Sequence, residues 1–304
     1  MGTAEDLKRW VEAGLIDPDV AAAVETYESE RSESTRIGRG MEAIAYLGAV
    51  LILIALGVLA AEFWDRLVPW SRLALGLIVT LVLFIVGLVL GRADEPTIER
   101  AETFAWFLTV PAVALTAFVG VSEMAGVDDA DTFAWVSLLS LAAAAGLWWL
   151  RHSVLQMVAM GLASGVSVVA LVSLVEGVPD WAYGLSLAGL GTVWLLLTRG
   201  GLLLPERTSY VLGAAGILSI GFPETSELPW PLLGLAAGLA LMALSVPTAQ
   251  TVLLGMGVVG LFVYIPATIF EVFGETLGVP VALLITGLIL LGVVVVTVRL
   301  RTRS

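Results

Sequence analysis

The apolar residues of this chain gather into runs rather than stripes. From residue 43 onward, mostly apolar stretches at 43–61, 73–90, 104–121, 133–150, 154–175, 181–197, 210–222, 230–246, 252–270 and 277–298 alternate with short polar breaks. A helix rising about 1.5 Å per residue needs roughly 20 such residues to cross the ~30 Å hydrocarbon core of a bilayer. Each run therefore predicts a transmembrane helix, and residues 41–304 are expected to form an all-α, polytopic bundle of about ten crossings. The stretch 210–222 is short for this; without it the count would be odd and Arg299, Arg301 and Arg303 would face outward.

The first forty residues follow another pattern. Thr3 and Asp6 are spaced as a capping box, Leu7, Trp10, Val11 and Leu15 recur at helical spacing, and Gly14 offers a stop. Asp17 and Pro18 restart a helix as N-cap and first residue, with Val20, Val24 and Tyr27 continuing an apolar stripe. Residues 1–40 are thus expected to be a short cytoplasmic αα-hairpin, with Trp10, Leu15 and Tyr27 sharing a small core, followed by a charged tether. So little surface is buried that Trp10, Leu15 and Tyr27 are also the candidate contacts for a partner.

Composition sharpens this picture. Hydrophobic residues make up 59% and charged residues 14% of 304 positions, against roughly half and a quarter in soluble domains. Cysteine is absent, which removes disulfides, thiolate nucleophiles and Cys-ligated metals. A net charge of −12 argues against nucleic acid as a partner. With ten crossings and both termini inside, thirteen of the fifteen Lys and Arg fall on the cytoplasmic side and only Arg66 and Arg72 outside. The positive-inside rule therefore predicts a multi-pass protein of the cell membrane with cytoplasmic N- and C-termini. The opposite loops carry Asp128, Asp129, Asp131, Glu176, Asp180, Glu224, Glu227, Glu271 and Glu275.

Inside the runs, small residues recur: Gly161 and Gly165, Gly234 and Gly238, Ala142 to Gly146, and Gly255, Gly257 and Gly260. Such positions let helices approach closely where lipid removes the hydrophobic drive. Trp70, Trp181 and Trp230 stand at run ends, the headgroup depth that indole rings prefer. With runs bounded as above, no ionisable residue lies at membrane depth. Polar side chains there are Ser, Thr, Gln156 and tyrosines, and the hydroxyls can be satisfied by their own helix. The single histidine, His152, sits beside Arg151 at a run end and cannot form a metal site alone. Ser186 has no basic partner within the membrane, and no phosphate loop or His-Glu-x-x-His motif occurs. The expectation is a non-enzyme with no catalytic, cofactor or metal residues.

The outward turn between the first two runs concentrates charge beside an indole: Glu62, Trp64, Asp65, Arg66 and Arg72. Asp65 or Glu62 pairing with Arg72 would clasp the two helices; a headgroup recognition site is the competing reading.

The pattern Leu7-x-x-Trp10-Val11-Glu12-Ala13-Gly14-Leu15-Ile16-Asp17, then Tyr27, followed by YLGAVLILIALGVLAAEFWDRLVPWSRLALG with Trp64, Asp65 and Arg72, resembles the membrane protein family called domain of unknown function 2157. The resemblance covers about the first ninety residues and implies architecture, with nothing catalytic. The hairpin also resembles short helical modules that mediate self-association or partner binding. Two functions are expected on this basis. One is a scaffold or partner-binding role in the lipid bilayer, with residues 1–30 docking a second copy or a cytoplasmic protein. The other is transport of an uncharged or lipophilic small molecule, because size and topology resemble ten-helix drug and metabolite carriers.

Overall fold

A computed structural model describes residues 3–24, 66–92, 96–222 and 230–269, with the single positions 51, 58, 62, 64, 284, 287 and 288. The chain divides into two compact units, Met1–Val68 and Pro69–Ser304. The expected crossings at 43–61 and 277–298 lie almost wholly outside the described residues.

In the first unit, α1 (Thr3–Glu12) ends in a Schellman motif. The Leu15 N–H reaches the Trp10 carbonyl at 2.9 Å and the Gly14 N–H reaches Val11 at 3.0 Å. Gly14 takes φ +66° to allow this, a conformation that glycine adopts without penalty. A second helix, α2, covers 18–24 and begins as the sequence indicates: the Ala21 N–H donates to the Asp17 carbonyl and Pro18 fills the first helical position. Leu7 is buried, whereas Leu15 is 71% and Trp10 43% exposed. The expected small core of Trp10, Leu15 and Tyr27 therefore does not enclose Leu15, because the motif that stops α1 turns this residue outward. Tyr27 lies outside the described residues.

The second unit is a helical bundle. Its helices are α3 (Pro69–Leu90), α4 (Pro96–Phe118), α5 (Asp129–Leu150), α6 (Val154–Ser173), α7 (Trp181–Arg199), α8 (Glu206–Leu218), α9 (Trp230–Thr248) and α10 (Thr251–Ile269). Seven of the described helices are long and apolar enough to cross a membrane: α3 to α7, α9 and α10. The eighth, α8, has 13 residues and continues as the 3-10 turn Ser219–Gly221, about 25 Å in all. It nevertheless carries the chain between the two ends of α7. It starts beyond the C-terminal end of α7, and after it Trp230 opens α9 stacked on Trp181 at the α7 N-terminus, ring centroids 6.3 Å apart.

Two consecutive cores hold these helices. Trp106, Val110, Ala144, Leu147, Met157 and Trp194 join α4 to α7. Leu195, Tyr210, Ala214, Leu241, Leu253 and Tyr264 join α7 to α10. Close approach comes from glycine. A methyl group on Gly191 would lie 2.6 Å from the Ile217 backbone nitrogen and overlap the Gly213 carbonyl, so α7 and α8 touch backbone to backbone. Gly238 meets Gly257 in the same way, and Gly221 and Gly234 cradle the Tyr264 ring, whose hydroxyl donates to the Leu218 carbonyl. Gly76 and Gly87 on α3, and Gly91 just after it, receive Thr116, Trp106 and Glu102 of α4. The expected packing role of small residues thus holds at Gly161, Gly234, Gly238, Gly257 and Gly260. Among the described residues nothing lies within 4 Å of a methyl group on Gly146 or Gly255, and Gly165 makes only an ordinary contact with Leu187.

Candidate functional site

The bundle places its charge at its ends and its hydroxyls against its own backbone. Thr109, Thr116, Ser140, Ser167, Thr192 and Thr198 each donate to the carbonyl four residues earlier, as expected of Ser and Thr in lipid.

Bounding the third run at 104–121 leaves Glu102 and Glu123 in loops, but the helix is longer at both ends. Upstream, α4 begins at Pro96, so Glu99 sits in its first turn, where the helix dipole favours a carboxylate. Glu102 stands one turn later and is 1% exposed. Downstream, α4 runs into a π-helical turn, Val119–Met124, that carries Glu123. These two carboxylates therefore belong to the helix rather than to loops, near its opposite ends, and each faces an arginine.

At the first of these ends, Arg151 follows α5 and reaches back to α4. Its Nη2 donates to Glu99 Oε1 at 3.1 Å, and its Nη1 lies 3.0 Å from Glu102 Oε2. That second contact pairs the charges without hydrogen-bonding geometry, so Glu102 Oε2 is buried with no hydrogen bond. The next helix is fastened at the same point. Ser153 caps α6 by accepting from the Gln156 N–H, and its hydroxyl donates to Gln156 Oε1. Gln156, itself 1% exposed, donates from Nε2 to the Thr103 carbonyl at 3.0 Å. Trp148 donates to the Leu204 carbonyl at 2.7 Å and meets His152 edge-on. Glu99, Glu102, Arg151 and Gln156 thus form one clasp across α4, α5 and α6. A pointer to it was present in the sequence: Glu99-x-x-Glu102 and Ser153-x-x-Gln156 are both one-turn spacings flanking Arg151.

At the opposite end, Arg72 in the first turn of α3 donates from Nη1 to Glu123 Oε1 at 2.8 Å, with both side chains 17% exposed. Glu123 Oε2 is buried without a hydrogen bond. Of the other members of the predicted outward cluster, Glu62 and Arg66 are exposed and Trp64 half-buried, all in the first unit. Asp65 lies outside the described residues.

Between α4 and α8 the second unit opens two apolar clefts. One, of about 300 Å³, runs along Phe107, Pro111, Ser137, Ser140 and Ala163; the other, of about 360 Å³, runs along Ser164, Gly165, Leu187, Trp194 and Ser219. Phe133, Leu162 and Val166 line both. Among the described residues, no group of three or more His, Asp or Glu is placed to hold a metal ion.

Residues 8–153 match the family model described as "Predicted membrane protein (DUF2157)". The resemblance carried by the first ninety residues therefore holds and extends through α5 to the turn bearing Arg151. No curated protein and no solved structure matches the chain.

Proposed function

We propose that this chain is a membrane-anchored scaffold that performs no chemistry of its own and binds a partner through its N-terminal helices. The observation that carries this reading is apolar surface on a segment too polar for lipid. Leu15 is 71%, Val20 50%, Trp10 43% and Val24 36% exposed, beside Lys8, Arg9, Asp17 and Asp19. Two short helices bury too little to be stable alone and gain most by covering that surface with a second copy or a cytoplasmic protein. The test is chemical cross-linking and co-purification of the full chain from membranes. Trp10→Ser with Leu15→Ser, or deletion of residues 1–36, should abolish association while the bundle melts as before. Association that survives both changes would sink the reading.

The same proposal sets ten crossings, with both termini inside the cell membrane. Its support is the distribution of basic residues and the passage of α8 between the two ends of α7. Reporter fusions after residues 126, 200 and 304 should read outside, inside and inside; an external reading at 304 would remove one crossing. A second reading, transport of an uncharged or lipophilic molecule, is favoured by the apolar clefts, which open sideways between helices at the depth where such molecules dissolve.

A further inference from the structure

The two clefts between α4 and α8 share Phe133, Leu162 and Val166 in their walls and so lie side by side as a divided apolar trough. Four serines line it, and each has already committed its proton to its own helix, so none is left to donate to an occupant. Ser137, Ser140, Ser164 and Ser219 donate to the carbonyls of Ala134, Val136, Gly161 and Ala215 on their own helices. An occupant with polar groups would lose its solvation there and find no free donor, so the trough suits hydrocarbon.

The end at which Phe133 lies is predominantly acidic, its described arginine on the bundle, Arg72, being paired with Glu123. Asp128, Asp129 and Asp131 surround the start of α5, and Asp131 precedes Phe133 by two residues, about 3 Å along the axis. Glu176 and Asp180 stand in the connection from α6 to α7 at the same end, and all five carboxylates are exposed. No Lys or Arg occurs between Arg100 and Arg151, nor between Arg151 and Arg199. An anionic headgroup would be repelled from this mouth and a cationic one attracted.

We propose that the trough binds a cationic amphiphile, its alkyl chain lying along Phe133, Leu162 and Gly165 and its amine or quaternary ammonium head among Asp128, Asp129 and Asp131. The site stands independently of the N-terminal partner surface, since it uses other residues in the other unit. Binding is also measurable whether or not the occupant is carried across.

The test uses the full chain in phosphatidylcholine nanodiscs with radiolabelled dodecyltrimethylammonium as probe and dodecanol as its uncharged, chain-matched control. Saturable binding above that of empty nanodiscs is expected. Leu162→Trp, which grows into both clefts from an exposed position, and Gly165→Leu, whose added Cβ would meet only Leu187 at 3.7 Å, should each weaken it about tenfold. Asp129→Asn with Asp131→Asn should weaken the cation about fivefold and leave dodecanol unchanged. Melting temperatures confirm that the variants are folded, and if Gly165→Leu is not, Leu162→Trp alone decides. Three results would each overturn the proposal: binding no greater than in empty nanodiscs, unchanged affinity in the folded cleft-filling variants, or dodecanol competing as well as the cation. The last would make the trough a bed for neutral lipid chains.

Discussion

The carboxylates of Glu102 and Glu123 stand near opposite ends of the same helix, and the bundle holds them by different means. Glu102 is almost wholly enclosed and shares Arg151 with Glu99, in a clasp that Gln156 extends to a third helix. Glu123 accepts from Arg72 Nη1, its side chain 17% exposed, and sits in a π turn, where the regular ladder is already interrupted. At one end the charge is fixed among three helices; at the other it joins α3 to the end of α4. Between them the seams depend on glycine and on hydroxyls bonded to their own helices. The difference shows that, among the described residues, the carboxylates drawn into the bundle are each met by an arginine from another part of the chain.

The largest break in that comparison should come from Arg151→Ala. It strands a carboxylate that is 1% exposed, and breaking a buried pair from one side costs about 3–5 kcal/mol. Unfolding in mixed micelles should show a loss of this size, and a loss under about 1 kcal/mol would mean that water reaches Glu102.

The middle of the bundle gives the scale for both ends. Gly191→Ala forces α7 away from α8 and should cost about 1–3 kcal/mol, whereas Gly189→Ala meets nothing within 4 Å and should be neutral or stabilise by about 0.5–1 kcal/mol through helix propensity. Equal effects in the same unfolding assay would contradict the backbone contact of α7 with α8.

The smallest effect is expected at the π turn. Arg72→Ala should cost about 1.5 kcal/mol, the scale of a charged hydrogen bond between side chains that are both 17% exposed. Exchanging the two as Arg72→Glu with Glu123→Arg should recover part of that loss. A double variant no better than the sum of its singles would show that the pair does not act directly.

Much of this arrangement was legible in the sequence, and the part that was not has a physical cause. The apolar runs from residue 73 to residue 270 become described helices because lipid demands uninterrupted apolar length, which composition records directly. The turn at Gly14 and the restart at Asp17 and Pro18 were legible because caps are local. The first two turns of α4 read as loop because Glu99, Arg100 and Glu102 look solvated until Arg151, some fifty residues later, is known to face them. Glu123 was missed for the same reason, its partner Arg72 lying as far away in the other direction. Small-residue spacing located several contacts but could not tell Gly191, pressed on α8, from Gly189, facing open space. That distinction depends on which face of a nearly all-apolar helix meets a neighbour, and such a helix carries little amphipathic signal to reveal it.

Direct pairing with an arginine is what lets a buried carboxylate remain ionised in this bundle. A double-mutant cycle on Arg151→Met and Glu102→Met, measured by unfolding in mixed micelles, tests it most directly. Direct pairing predicts that Arg151→Met alone is strongly destabilised and that adding Glu102→Met restores at least about 2 kcal/mol, because no carboxylate is then left buried and unpaired. Additive losses in the double variant would contradict it.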